Sequence, residues 1–247
     1  MRARIPTAIL AALVVGSTVA AAVQDSVDLT VVDRIKAEAI TRSQVMDHLR
    51  ELTDGRGPRL TGSPGFDAAA KLKSLNLRLD RTVRIALWSG EEQGLLGSRA
   101  YVKAHFADPA TMQLRGERGK LSGYYNLDNG SGRIRGVYLQ GHDAMRPLFE
   151  QWLAPFRDLG VTTISIRITG GTDHLSFNAV GLPGFQFIQD PLDYGSTTHH
   201  TSADTYDHAI TADLMQASAV IATLVYQTAN RAERLPRRAL AVVTPSR

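Results

Sequence analysis

Apolar residues between positions 30 and 52 fall at helical spacing. Val31, Val32, Ile35, Ala39, Ile40, Val45, Met46 and Leu49 form a stripe that stops before Gly55, which predicts an N-terminal helix. The pattern then changes period. Arg81–Trp88 (RTVRIALW) is mostly apolar and β-rich, which predicts a buried strand delivering its C-terminal end to Ser89-Gly90-Glu91-Glu92. A helix follows from Leu95 to His105. Further β-branched runs at Leu121–Leu127, Gly136–Leu139, Thr162–Ile168 and Gly184–Ile188 are separated by helical stretches near Ala144–Leu159 and Ala212–Ala229. Alternation of this kind predicts an α/β fold, a mixed and largely parallel sheet with helices on both faces. In such a sheet, ligands gather beyond the carboxyl ends of the strands.

Composition narrows the picture. The first residues carry Arg2 and Arg4, then an apolar run from Ala8 to Val15, then small residues at Ala20 and Ala22. This is the pattern of an export signal over residues 1–22, implying a secreted or periplasmic protein with no stable membrane partner. The chain has 247 residues and a formal charge of +4, which falls to +2 once Arg2 and Arg4 are removed with no acid. That excess is too small to argue for a nucleic-acid partner. No Gly/Ser-rich linker, repeat or low-complexity tract divides the chain, so residues 23–235 read as one domain. Within it, 29–65 is an N-terminal helical part and 81–230 the core, and 236–247 is a tail. With no cysteine, any metal must be held by His, Asp or Glu.

Three clusters stand at or just after strand ends: Glu91-Glu92, Asp128 within NLDNG, and His199-His200 within HHTSADT. Adjacent carboxylates at a strand end repel one another, and partial burial of both calls for a cation or for protonation of one. In a hydrolytic zinc site one such carboxylate ligates the metal while its neighbour takes a proton from water. The competing reading of the pair is a solvated loop. Asp128 is either a ligand or a turn-stabilising aspartate. Either histidine is a ligand or an ordinary surface residue, and Asp204 is placed to orient a ligating ring through its other N–H. In GGTDH, either Asp173 is a helix N-cap, or Gly171 and Thr172 let backbone N–H groups approach a substrate. His48, His105, His142 and His208 have no defensible partner pattern, and no G-x-S-x-G elbow supports a serine hydrolase.

Taken in order, PRLTGSPG (58–65), LWSGEEQGLLGSRAYV (87–102), NLDNGSG (126–132), GTDHLSF (171–177) and HHTSADTYD (199–207) resemble the M28 zinc peptidases, especially their exported carboxypeptidase Q-like branch. The resemblance covers roughly residues 30–230. It implies an α/β/α sandwich holding two zinc ions that share a bridging aspartate and a water, and cleavage of a peptide or dipeptide next to a free terminus. By the same resemblance Glu91 is the general base, Glu92 and His200 ligate one ion, Asp128 ligates the other, and Asp173 and His174 lie at the site rim near substrate. One departure stands out. The family's His-x-Asp motif and bridging aspartate belong between the counterparts of PRLTGSPG and RTVRIALW, where this chain has only Phe66–Asp80 and no histidine. Asp67 and Asp80 are the only carboxylates in that gap, and neither lies in a matching motif. The surviving ligand count leaves one ion or none, and the shortening is expected to remove sheet strands and uncover apolar surface. The alternative function is a catalytically inactive relative that binds peptides without turnover.

Overall fold

The computed structural model describes residues 25–53 and 64–240. Seven helices and four strands of its order position the site: α1 (Leu29–Thr41), α2 (Val45–Thr53), α3 (Pro64–Ser74), α4 (Leu96–His105), β1 (Tyr124–Asn126), β2 (Ile134–Tyr138), α5 (Arg146–Leu153), β3 (Thr163–Ser165), α6 (His174–Asn178), β4 (Gly184–Gln189) and α7 (Thr211–Asn230). The sheet runs β1-β4-β2-β3. β1 is parallel to β4 and β2 is parallel to β3, while β2 and β4 are antiparallel, so the sheet is mixed. The export signal, most of PRLTGSPG and residues 241–247 lie outside the described residues. Among the described residues no helix is long and apolar enough to cross a membrane.

Side-chain alternation on the strands makes two cores. Phe185 and Phe187 of β4, with Ile134 and Val137 of β2, meet Phe149 and Trp152 of α5 and the apolar side of α7. On the other face, Val102 of α4 and Phe177 of α6 pack with Phe106, Val180 and Leu182, against Trp88, Tyr101 and Tyr124. The expected layering of helices on both faces is therefore present. α7 carries Ala217, Ala219, Val220, Ala222 and Leu224 in the interior, and its small residues let α1 and α3 lie close beside it.

Several elements differ from the sequence expectation. The N-terminal helix is broken: α1 ends at Thr41 and α2 restarts at Val45, whose N–H is accepted by the Ser43 hydroxyl at 3.3 Å. A hydroxyl that satisfies a free helix N–H starts a new helix at little cost. The run 162–168 pairs only over Thr163–Ser165, because β3 is an edge strand, and Ile166 and Ile168 are exposed. The largest correction concerns Arg81–Trp88. Its residues belong to no strand, and Ile85 and Leu87 are 43% and 56% exposed. A strand is defined by its neighbour, and no described residue pairs with this segment.

Candidate hydrolytic site

The carboxyl end of β1 organises the site. Two residues beyond the strand, Asp128 accepts a short hydrogen bond from the Thr172 hydroxyl. Thr172 in turn accepts from Asn126 Nδ2 at 2.8 Å and from the Asp173 backbone N–H at 2.7 Å. Asn126 Oδ1 accepts from the Tyr124 hydroxyl at 2.6 Å, which itself accepts from Trp88 Nε1 at 3.0 Å. A continuous relay thus runs from Trp88 through Tyr124, Asn126 and Thr172 to Asp128. Each bond polarises the next in this partly buried setting. Burial, with Asp173 and Glu92 nearby, raises the Asp128 pKa above the ordinary carboxylate value, while the Thr172 bond opposes the rise.

Glu91 and Glu92 sit on a tight turn after the segment Arg81–Trp88. The Glu91 carbonyl accepts from Gly94 N at 2.9 Å and from Leu95 N at 2.7 Å, closing the turn that leads into α4. Burial pushes the Glu91 carboxyl from 4.5 up to about 7, reinforced by Asp128, Glu92 and Asp173 and opposed by His200. Glu92 reaches His200, with Oε1 and Nε2 2.9 Å apart. His200 is held at φ +58, in the left-handed region, and its ring lies 3.8 Å from that of His199. His199 in turn packs against Tyr194 at 4.5 Å.

The structure brings Glu91, Glu92, Asp128 and His200 to one end of the sheet. It places the remaining candidates less directly. Asp173 and His174 are 4% and 0% exposed, so they form no open rim. His174 Nε2 instead meets the Thr169 carbonyl at 3.1 Å and ties down the GGTD loop. Asp173 precedes α6 but makes no side-chain cap bond, because its backbone is already helical at φ −60 and ψ −22. Among the described residues no hydrogen bond joins Asp204 to either imidazole, and the neighbouring Thr205 hydroxyl donates to Asp207 at 2.6 Å. His208, for which the sequence offered no partner, pairs with Asp193 and closes the loop that carries both histidines.

Two contributors were not legible in the sequence. Tyr194 faces the acids of the site, and burial together with Asp128, Glu92 and Glu91 raises its pKa. Its ring also explains the glycine of NLDNG: Gly130 has φ +79, and a Cβ there would lie 2.9 Å from Tyr194 Cδ2. Thr172 was noted only for its backbone, whereas its hydroxyl is the hub of the relay. A buried hydroxyl between an Asp and an Asn cannot be read from spacing, since residues 126, 128 and 172 meet only through the fold.

The donor set can be tested against a metal. Two ligands of a tetrahedral zinc with bonds of about 2.0 to 2.1 Å stand roughly 3.3 Å apart. The 2.9 Å separation of Glu92 Oε1 and His200 Nε2 is close to that bite, so the pair suits one ion. Among the described residues, however, no group of three His, Cys, Asp or Glu is arranged to hold a metal.

The model of peptidase family M28 matches residues 66–225. The chain belongs to peptidase family M28. Carboxypeptidase Q of Bos taurus is 30% identical over 196 residues, covering 78% of this chain and 39% of that protein. The crystal structure of a peptidase M28 precursor from Shewanella amazonensis aligns with a TM-score of 0.58 at 28% identity, covering 72% of this chain and 39% of that one. A zinc aminopeptidase from Bacillus subtilis aligns with a TM-score of 0.53 at 26% identity, covering 70% of this chain and 43% of that one. These M28 structures share the α/β fold seen here. The chain spans 39% of the length of the carboxypeptidase Q relatives it matches.

Proposed function

We propose that the protein is a zinc-dependent exopeptidase of the M28 type, exported and acting on peptides or dipeptides near a free terminus. The observation that carries this reading is the convergence of Glu91, Glu92, Asp128 and His200 at the carboxyl end of the sheet, with Glu91 titrating near neutrality. A base with a pKa near 7 is half available at neutral pH and still basic enough to take a proton from water. Glu91 accepts that proton as the water oxygen attacks the scissile carbonyl, then returns it to the departing amine as the C–N bond breaks. Glu92 and His200 would hold the ion, which when bound polarises the carbonyl and acidifies water. Thr172 fixes Asp128 beside them, available to a second cation or to a cationic substrate group. Asp173 adds negative charge that keeps the Glu91 proton affinity high. Export rests on Arg2, Arg4 and the apolar run Ala8–Val15.

The test is hydrolysis of a mixed dipeptide panel with and without zinc, comparing the native protein with Glu91→Gln. Loss of the base is expected to lower kcat by about 10²- to 10⁴-fold with bound zinc unchanged. Turnover that survives Glu91→Gln removes Glu91 from the mechanism. One observation favours a second reading, a peptide-binding relative without turnover: no three-ligand group is assembled among the described residues. That reading requires dipeptide binding by calorimetry, no zinc retained after dialysis, and no hydrolysis by either protein.

A further inference from the structure

Guanidinium groups gather at the end of the sheet opposite the candidate hydrolytic site. Asp128 follows the carboxyl end of β1, whereas Leu121 and Val180 precede the amino ends of the parallel strands β1 and β4. The Leu121 carbonyl accepts from Arg237 Nη2 at 2.6 Å, and the Val180 carbonyl accepts from Arg118 Nη2 at 3.2 Å. A Cβ placed on Gly181 would stand 3.5 Å from Arg118 Nη2 and 3.0 Å from the Arg238 carbonyl, so the Arg118 guanidinium borders the backbone that carries Arg237. Arg118 Nε is buried without a hydrogen-bond partner, a cost that holding the side chain in this place incurs. Burial lowers the Arg237 pKa below the ordinary guanidinium value, and Arg118 and Arg234 lower it further. The acids nearby are engaged elsewhere. Glu117, next to Arg118 in sequence, pairs with His105 at 3.4 Å, Asp108 with Lys103 at 3.3 Å, and Asp25 with Arg231 at 2.6 Å. Among the described residues no carboxylate pairs with Arg118, Arg234 or Arg237.

We propose that Arg118, Arg234 and Arg237 form a site for a phosphate-type dianion, supplied as soluble phosphate or as the phosphate of a lipid headgroup. Like charges converge at a cost, and an anion between them turns that repulsion into attraction. The two backbone carbonyls engage one Nη2 of each anchored fork, which fixes its direction. Nη1 of Arg118, and Nε and Nη1 of Arg237, make no hydrogen bond among the described residues. A guanidinium fork meets two oxygens of a tetrahedral oxyanion at once, and forks anchored in advance lose little freedom on binding. Three cations with no acid between them favour a dianion over a single carboxylate, because the Coulomb gain at a given distance scales with the charge. The cluster lies at the amino end of β1 and the acids of the hydrolytic site lie beyond its carboxyl end, so the two sites are separate.

The experiment is titration calorimetry of the full mature chain with inorganic phosphate at fixed ionic strength, repeated with acetate as competitor. The expected result is saturable binding of one phosphate that an equal concentration of acetate does not displace. Arg237→Gln is expected to weaken it by more than about tenfold, while Arg167→Gln, an exposed arginine elsewhere, and Glu92→Gln, at the hydrolytic end, leave it unchanged. Sedimentation with vesicles containing phosphatidic acid separates the sources: binding that phosphate competes away assigns a lipid headgroup, and phosphate binding without vesicle binding assigns a soluble one. Three results overturn the proposal: no saturable phosphate binding, displacement by acetate as readily as by phosphate, or binding indifferent to Arg237→Gln. Competition by acetate on the native protein decides the matter even where a variant fails to fold.

Discussion

At the scale of single residues, the site works by crowding carboxylates and then fixing each by a different device. Asp128 is fixed by the Thr172 hydroxyl, Glu92 by His200 and Glu91 by its own turn. Thr172→Val removes a buried donor to a carboxylate and is expected to cost about 1 to 3 kcal/mol in urea unfolding; Thr172→Ser, which keeps the hydroxyl, should recover most of it. A second prediction concerns pH. Glu91 has a folded pKa of about 7 against 4.5 in an unfolded chain. The folded state therefore holds its proton more tightly, and metal-free protein is expected to lose stability as pH rises from about 4.5 through 7. Glu91→Gln abolishes that particular loss, which denaturant midpoints at pH 5 and pH 8 will show against the native protein. A midpoint difference unchanged by the substitution refutes the assignment. The sequence exposed Glu91, Glu92, Asp128 and His200 because each sits in a run with its own local signature. It hid Tyr194 and the Thr172 hydroxyl, whose importance comes only from what they touch.

At the scale of elements, caps and tight turns decide where helices begin. Asp28 accepts from the Val31 N–H at 3.1 Å and starts α1. Asp28→Ala is expected to cost about 1 kcal/mol, measured as a shift in thermal midpoint. Gly130 marks a tighter constraint. With φ +79 and the Tyr194 ring against it, Gly130→Ala forces a strained backbone or moves the ring that packs on His199. Near-ultraviolet circular dichroism, which reports the Tyr194 environment, is expected to change while far-ultraviolet helix content does not. Helix positions were largely legible, since α4, α5 and α7 follow their apolar periodicity. Strand status was not. RTVRIALW has a stronger strand composition than β1 or β3, yet is unpaired among the described residues, because pairing depends on a neighbour that composition cannot supply.

At the scale of the whole molecule, two apolar cores hold a small mixed sheet, and most of the burial lies on the α5–α7 face. Phe149 is fully buried, its ring 4.9 Å from Phe185 and 6.2 Å from Trp152. Phe149→Ala is expected to lose about 3 to 5 kcal/mol, read from urea unfolding, because the surrounding aromatic rings cannot collapse into the space. On the opposite side apolar Ile85 and Leu87 face solvent, and α3 borders an open groove. By itself the sequence determined the family and the α/β class, and it singled out Glu91, Glu92, Asp128 and His200 as candidates, since these are written in local motifs and in hydrophobic periodicity. Only the tertiary structure decided that Asp128 is held by Thr172, that His174 is buried away from solvent, that Tyr194 walls the site, and that RTVRIALW has no strand partner among the described residues. Those facts depend on which distant segments meet, and distance along the chain carries no record of proximity in space.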